Sequence, residues 1–174
     1  IQYFSDAFSK NRGFKDAQDV ETWLLYHARK ANDAVFSKSV TKKEYYGMGT
    51  TLVGILISKV GYFSINIGDS RAYAYNLFDE FYCLTVDHTL VRGMLNHGEI
   101  TIEEMKNHPK KNVLTNALGI WNDVRADIQQ IHDEVKIFLV CSDGLHSYVD
   151  ENKIAEILRD ENASLQKKSK RLMN

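Results

Sequence analysis

One proline, Pro109, occurs in the 174 residues, so no proline-rich linker divides the chain. Cysteine is almost as scarce. Cys83 and Cys141 belong to no CxxC or Cys/His spacing, which excludes a disulfide scaffold and a zinc site readable from sequence. Both are expected to be buried free thiols in a reducing cytosol. Charge of neither sign dominates: Lys plus Arg number 22 against 23 for Asp plus Glu, giving a net charge of -1. No long-range field therefore draws the chain to nucleic acid or to an anionic membrane, and a substrate must be recognised locally. No apolar run approaches the ~20 residues that span a bilayer, and no signal-peptide pattern opens the chain. A cytoplasmic protein is expected. Repeats, low-complexity tracts, phosphate loops, dinucleotide-binding glycine patterns, nucleophile elbows, zinc-protease motifs and EF-hand loops are all lacking.

What is present suffices for one domain over 1–174, since 44% of the residues are hydrophobic and can form a substantial core. The two ends, Ile1-Gln2-Tyr3-Phe4 and Arg171-Leu172-Met173-Asn174, have helical spacing without capping residues, as if cut inside a domain. Apolar residues at Ala17, Val20, Trp23, Leu24, Ala28, Ala31 and Val35 predict a core-packing helix over 16–37. Leu52 to Ile57 and the alternating Phe63, Ile65 and Ile67 predict two strands joined near Lys59 to Gly61. Arg71 to Tyr75 and Phe81 to Leu84 predict a second pair around Asn76 to Glu80, and Val135 to Cys141 a further strand. Between Asp87 and His108 the chain turns polar, with a capping-box helix start at Thr101 and Glu104. Helical spacing returns at Ile154, Ile157 and Leu158 after the N-cap Asp150. Helix, strands, then helix is an α+β order.

Two acids share one setting. Asp69 follows Ile65-Asn66-Ile67-Gly68, and Asp143 follows Phe138-Leu139-Val140-Cys141-Ser142, so each carboxylate stands just past a buried strand and beside a glycine. A carboxylate held rigidly at a sheet rim, partly out of water, needs a positive partner to stay ionised, and a hard divalent cation supplies one. The alternative, that both are Asx-turn residues closing strand ends, stays open. The six histidines show no i,i+4 pair, and none is given a catalytic role. Lys167-Lys168-Ser169-Lys170-Arg171 reads as a solvated helix face.

The ordered strings GMGTT (47–51), GDSRAY (68–73), LTVDHT (84–89), LTNALG (114–119) and CSDGL (141–145) together resemble the bacterial branch of the PP2C-type metal-dependent serine/threonine protein phosphatases. The resemblance covers nearly the whole chain and places the family's flap at about 87–112. It implies an α-β-β-α sandwich of two antiparallel sheets flanked by helices, with the active site at one edge. It also implies Mn²⁺ or Mg²⁺, two or three ions in the complete family site, and a bridging water that attacks phosphorus without a phosphoenzyme. No side chain is then the nucleophile. Carried over by motif, Asp143 matches a ligand of the catalytic metals, and Asp69 matches the acid that shares a third, weaker metal with it near the flap. Asp87, Arg71 and Gly144 are candidates for supporting those ligands, while Gly47 and Gly49 are expected to allow close backbone approach.

The family's early acidic motif, its DGxGG loop and its late DN motif have no counterpart in this sequence. An incomplete site with low affinity for the two catalytic ions is therefore expected, along with bared sheet edges that invite strand exchange between chains. The implied partner is a phosphorylated protein, a serine/threonine kinase or its targets. The alternative is a catalytically silent PP2C-like binding or regulatory module.

Overall fold

Asp16 accepts the Asp19 N–H at 2.9 Å and so satisfies one orphan donor at the start of α2 (Ala17–Thr41). Val20, Leu24 and Ala28 of that helix are fully or almost fully buried, on the face predicted from their spacing. The computed structural model describes residues 1–11 and 13–173; Asn174, counted in the domain on sequence grounds, lies outside them. α1 (Gln2–Ser9) lays Phe4 edge-on against Trp23, ring centroids 6.5 Å apart.

Among the described residues six strands form two antiparallel sheets. β1 (Leu52–Ser58), β2 (Gly61–Ile67) and β5 (Asp127–Ile131) make the first in the order β1-β2-β5, and β4 (Phe81–Cys83), β3 (Arg71–Asn76) and β6 (Val135–Cys141) make the second in the order β4-β3-β6. The period of two along each strand sorts side chains into layers. Leu56, Phe63, Ile65 and Ile67 point outward from the first sheet onto Val20, Leu24 and Ala28 of α2. Val53, Ile55 and Tyr62 point inward, onto Ala72, Ala74 and Phe138 of the second sheet. The outer face of the second sheet, with Phe81, Ile137 and Leu139, is covered by Ile154, Ile157 and Leu158 of α6 (Glu151–Arg159) and Leu172 of α7 (Leu165–Leu172). Helices thus cover both outer faces of a two-sheet sandwich, the α+β architecture expected.

Between β4 and β5 lie α3 (Leu90–Asn96) and α4 (Ile102–Asn107). The capping box predicted at the start of α4 is present: Thr101 Oγ1 accepts the Glu104 N–H at 3.2 Å, and Glu104 Oε2 accepts the Thr101 N–H at 2.8 Å. A short helix α5 (Asp143–His146) follows β6.

Two expectations need correction, and one strand was not foreseen. The strand β5 reads Asp-Ile-Gln-Gln-Ile and forms at a sheet edge, where solvent accepts Asp127 and Gln129, so its polar residues hid it. Cys83 and Cys141 are free but not buried: Cys83 is exposed on the edge strand β4, and Cys141 is half-buried at the end of β6. Lys168 is not on a solvated face. It is 6% exposed, and its ammonium donates to the Leu158 carbonyl at the end of α6, where the last carbonyls of a helix lack partners.

Candidate functional site

The connection from the first sheet to the second is three residues long, Gly68-Asp69-Ser70, between β2 and β3. Gly68 makes the turn possible. Its φ is +107°, and a Cβ there would stand 2.4 Å from Thr51 Cγ2, so any other residue meets both backbone strain and a clash. Beside it the Thr51 and Ser70 hydroxyls are hydrogen-bonded at 2.7 Å.

Strand register brings the second acid to the first. Arg71 on β3 is the partner of Cys141 on β6, and in an antiparallel pair a step back along one strand is a step forward along the other. Asp69 lies two residues before Arg71 and Asp143 two residues after Cys141, so the last pair of the ladder brings both acids out at the same end of β3 and β6. Both line one open cleft of about 420 Å³, together with Thr50, Thr51, Ser70 and Asn112. A larger groove of about 810 Å³ runs between β6 and α7, but it is mostly apolar and lined by no carboxylate. Chemistry rather than size selects the smaller cleft.

Asp69 is half-buried, and burial followed by the nearby Asp143 carboxylate raises its pKa above the ordinary value, against a smaller opposing effect of its own main-chain hydrogen bond. Among the described residues no Lys or Arg pairs with either acid. Two adjacent carboxylates with no cationic side chain form an oxygen donor set that fits one hard, partly hydrated cation, since Mg²⁺-like ions are commonly held by one or two carboxylates plus waters. They do not make a full cage: no cluster of three or more His, Cys, Asp or Glu poised for a metal occurs among the described residues.

The cleft's walls are tied together by residues whose importance the sequence did not reveal. His88 is buried, and its Nδ1 accepts the Gly68 N–H at 3.1 Å and lies 2.8 Å from Asn116 Nδ2. Two donors at Nδ1 place the ring proton on Nε2, which donates to Asp127 Oδ2 at 2.9 Å. The His88 N–H donates to the Gly68 carbonyl at 2.9 Å, so one residue holds both main-chain groups of the turn glycine. Thr50 and Leu118 exchange main-chain hydrogen bonds of 3.0 and 2.9 Å, joining the Gly47–Thr51 segment to the Leu114–Gly119 segment. Gly49 permits that approach, because a Cβ there would meet Ile120 Cδ1 at 2.5 Å.

Arg71 and Asp87 stand beside the cleft as an ion pair. The guanidinium donates through Nε to Oδ1 at 2.9 Å and through Nη2 to Oδ2 at 2.7 Å. Its Nη1 reaches Tyr73 Oη at 3.2 Å and Glu151 Oε1 at 3.3 Å. The Asp87 hydrogen bonds raise the Arg71 pKa further, so this charge is permanent. Gly144, the remaining sequence candidate, has an unstrained backbone and room for a Cβ, the nearest atom being Ser142 Oγ at 3.4 Å; no close approach demands glycine there.

Four of the five sequence strings thus line one cleft, and the fifth is tied to it through His88, which accepts the Gly68 N–H. No protein-family model matches the chain. The serine/threonine phosphatase stp of Listeria welshimeri is 33% identical over 168 residues, covering 96% of this chain and 66% of the relative, so the chain spans just under two thirds of that protein's length. The crystal structure of the serine/threonine phosphatase Stp1 from Staphylococcus aureus superposes with a TM-score of 0.89 at 30% identity, covering 99% of this chain and 67% of that one. The catalytic domain of the serine/threonine protein phosphatase PstP, crystallised in complex with two manganese ions, gives a TM-score of 0.79 at 25% identity over 99% of this chain and 70% of that one. Sequence identity and fold agree: the chain belongs to the bacterial PP2C-type serine/threonine protein phosphatases.

Proposed function

We propose that this chain belongs to an enzyme that hydrolyses phosphoserine and phosphothreonine in proteins, with Asp69 and Asp143 as ligands of a divalent cation. The observation that carries this reading is the convergence of the two acids at one end of the β3–β6 pair, in an open cleft where, among the described residues, no Lys or Arg pairs with them. Mn²⁺ or Mg²⁺ bound there would neutralise charge on the phosphoryl oxygens and lower the pKa of water. The protein's own contribution is positional. Gly68 and His88 hold the Asp69 turn, the Arg71–Asp87 pair braces the start of β3, and the Thr51, Ser70 and Ser142 hydroxyls keep the cleft polar. The segment 87–112 serves as the flap, which its last residue, Asn112, supports by lining the cleft.

The substrate is a phosphorylated protein, a bacterial serine/threonine kinase or a target of one. The setting is the cytoplasm, in keeping with described helices none of which is long and apolar enough to cross a membrane. A second reading, a silent PP2C-like binding module, is favoured by one observation: among the described residues only two carboxylates converge where a cluster holding two cations needs more.

Phosphate release from a phosphothreonine peptide, measured with Mn²⁺ and with chelator, separates the two. Mn²⁺-dependent turnover that is lost in Asp143→Asn supports the enzyme. A folded chain that releases no phosphate at any Mn²⁺ concentration supports the binding module.

A further inference from the structure

His146 sits one helical turn beyond Asp143, at the other end of the four-residue helix α5, and residues three apart on a helix share a face. Its Nε2 lies 2.9 Å from the main-chain oxygen of Asp69. A carbonyl oxygen only accepts, so Nε2 carries a proton and donates. The half-buried imidazole therefore spans the gap between the two acid-bearing segments, which belong to different connections of the sandwich.

We infer that His146 is a positioning residue for the cation site: it fixes Asp69 relative to Asp143 by holding the peptide that carries Asp69. The inference rests on the site proposed above. Three observations support it. Asp69 occupies a three-residue turn with no regular secondary structure of its own, so its carboxylate direction follows the orientation of the flanking peptides. Asp143 is exposed, at the first position of α5, and is oriented by that helix. His146 alone joins the two by a side-chain hydrogen bond among the described residues, and it does so from the helix that carries Asp143. Two like charges repel, and the Asp69 turn relaxes away from Asp143 unless something holds it; a cation must then collect the ligands again on binding. A donor that orients a metal ligand from behind typically changes affinity by ~10-fold or more.

The test compares wild type, His146→Leu and His146→Gln, whose amide nitrogen reaches about as far as Nε2 and also donates. Mn²⁺ affinity is read from the electron paramagnetic resonance signal of free Mn²⁺, with Asp143→Asn as control. In parallel, amide chemical shifts of Asp69 and Ser70 are recorded without metal. His146→Leu is expected to weaken Mn²⁺ binding about tenfold and to shift the Asp69 and Ser70 amides, and His146→Gln to restore both. Unchanged Mn²⁺ affinity in His146→Leu, or equal weakness in His146→Gln, overturns the inference. Mn²⁺ binding that Asp143→Asn leaves intact overturns the site assignment first, and the inference with it, even if the metal-free amide shifts respond.

Discussion

Arg71 and Asp87 face each other as fork and carboxylate, Nε to Oδ1 at 2.9 Å and Nη2 to Oδ2 at 2.7 Å, with both side chains more than four-fifths buried. The pair joins β3 to the loop that carries His88, and through Nη1 it reaches Glu151 at the start of α6. Removing one partner leaves a mostly buried, uncompensated charge. Arg71→Ala is expected to cost about 3 kcal/mol; Arg71→Lys keeps the charge but not the two-pronged geometry and should cost about half as much. Urea unfolding midpoints check both values.

Gly68 and Thr51 form a steric couple, because a Cβ on Gly68 would stand 2.4 Å from Thr51 Cγ2. Gly68→Ala should destabilise by about 2 kcal/mol or more, from the clash together with the positive φ. Thr51→Ala removes the clashing methyl but leaves its own Cβ 2.8 Å away and the backbone strain, so the double variant should recover only part of the loss. A double-mutant cycle in urea reads the coupling directly.

His88 has three partners, the Gly68 N–H, the Asn116 amide and the Asp127 carboxylate. Leucine fills much of the same volume and offers no hydrogen bonds, leaving the buried Gly68 N–H without an acceptor. His88→Leu is expected to cost about 2 to 3 kcal/mol and to speed amide exchange at Gly68, Asp69 and Ser70. Hydrogen exchange followed by mass spectrometry checks whether that loss is confined to the turn.

The raised pKa of Asp69 gives the stability of the metal-free chain a definite sign. The folded chain keeps this proton to higher pH than the unfolded chain does. The contribution to stability is full below the ordinary value of 3.8 and is lost as pH rises through the folded-state pKa. Asp69→Asn removes that loss, so with chelator present it should be more stable than wild type at pH 7, with no such advantage at pH 3. The exposed carboxylates Asp79 and Glu104 and the half-buried Asp160, whose pKa values are lowered by hydrogen-bond partners, act oppositely toward acid. They are common to both chains and cancel in the difference. Thermal melts at the two pH values check it.

Most elements could be read from sequence because their periodicity matches their burial. Phe63, Ile65 and Ile67 alternate with inward Ser64 and Asn66, and Val20, Leu24 and Ala28 recur on one helix face. β5 could not, since an edge strand tolerates Asp127 and Gln129. The acids themselves were legible from their strand-end setting and from the family strings, whereas their convergence depends on the Arg71–Cys141 register, a tertiary fact. His88 stayed hidden because its side-chain partners lie 20, 28 and 39 residues away. His146 stayed hidden because its partner is a main-chain oxygen, which leaves no residue-type signal.

The most direct test of the cation site is an amide NMR titration of the whole chain with sub-stoichiometric Mn²⁺, whose unpaired electrons broaden nearby signals. Broadening that begins at Gly68, Asp69, Ser70, Ser142 and Asp143 together, and disappears in Asp143→Asn, is the expected result. Broadening centred elsewhere, or unchanged by Asp143→Asn, would contradict the assignment of Asp69 and Asp143 to a single cation site.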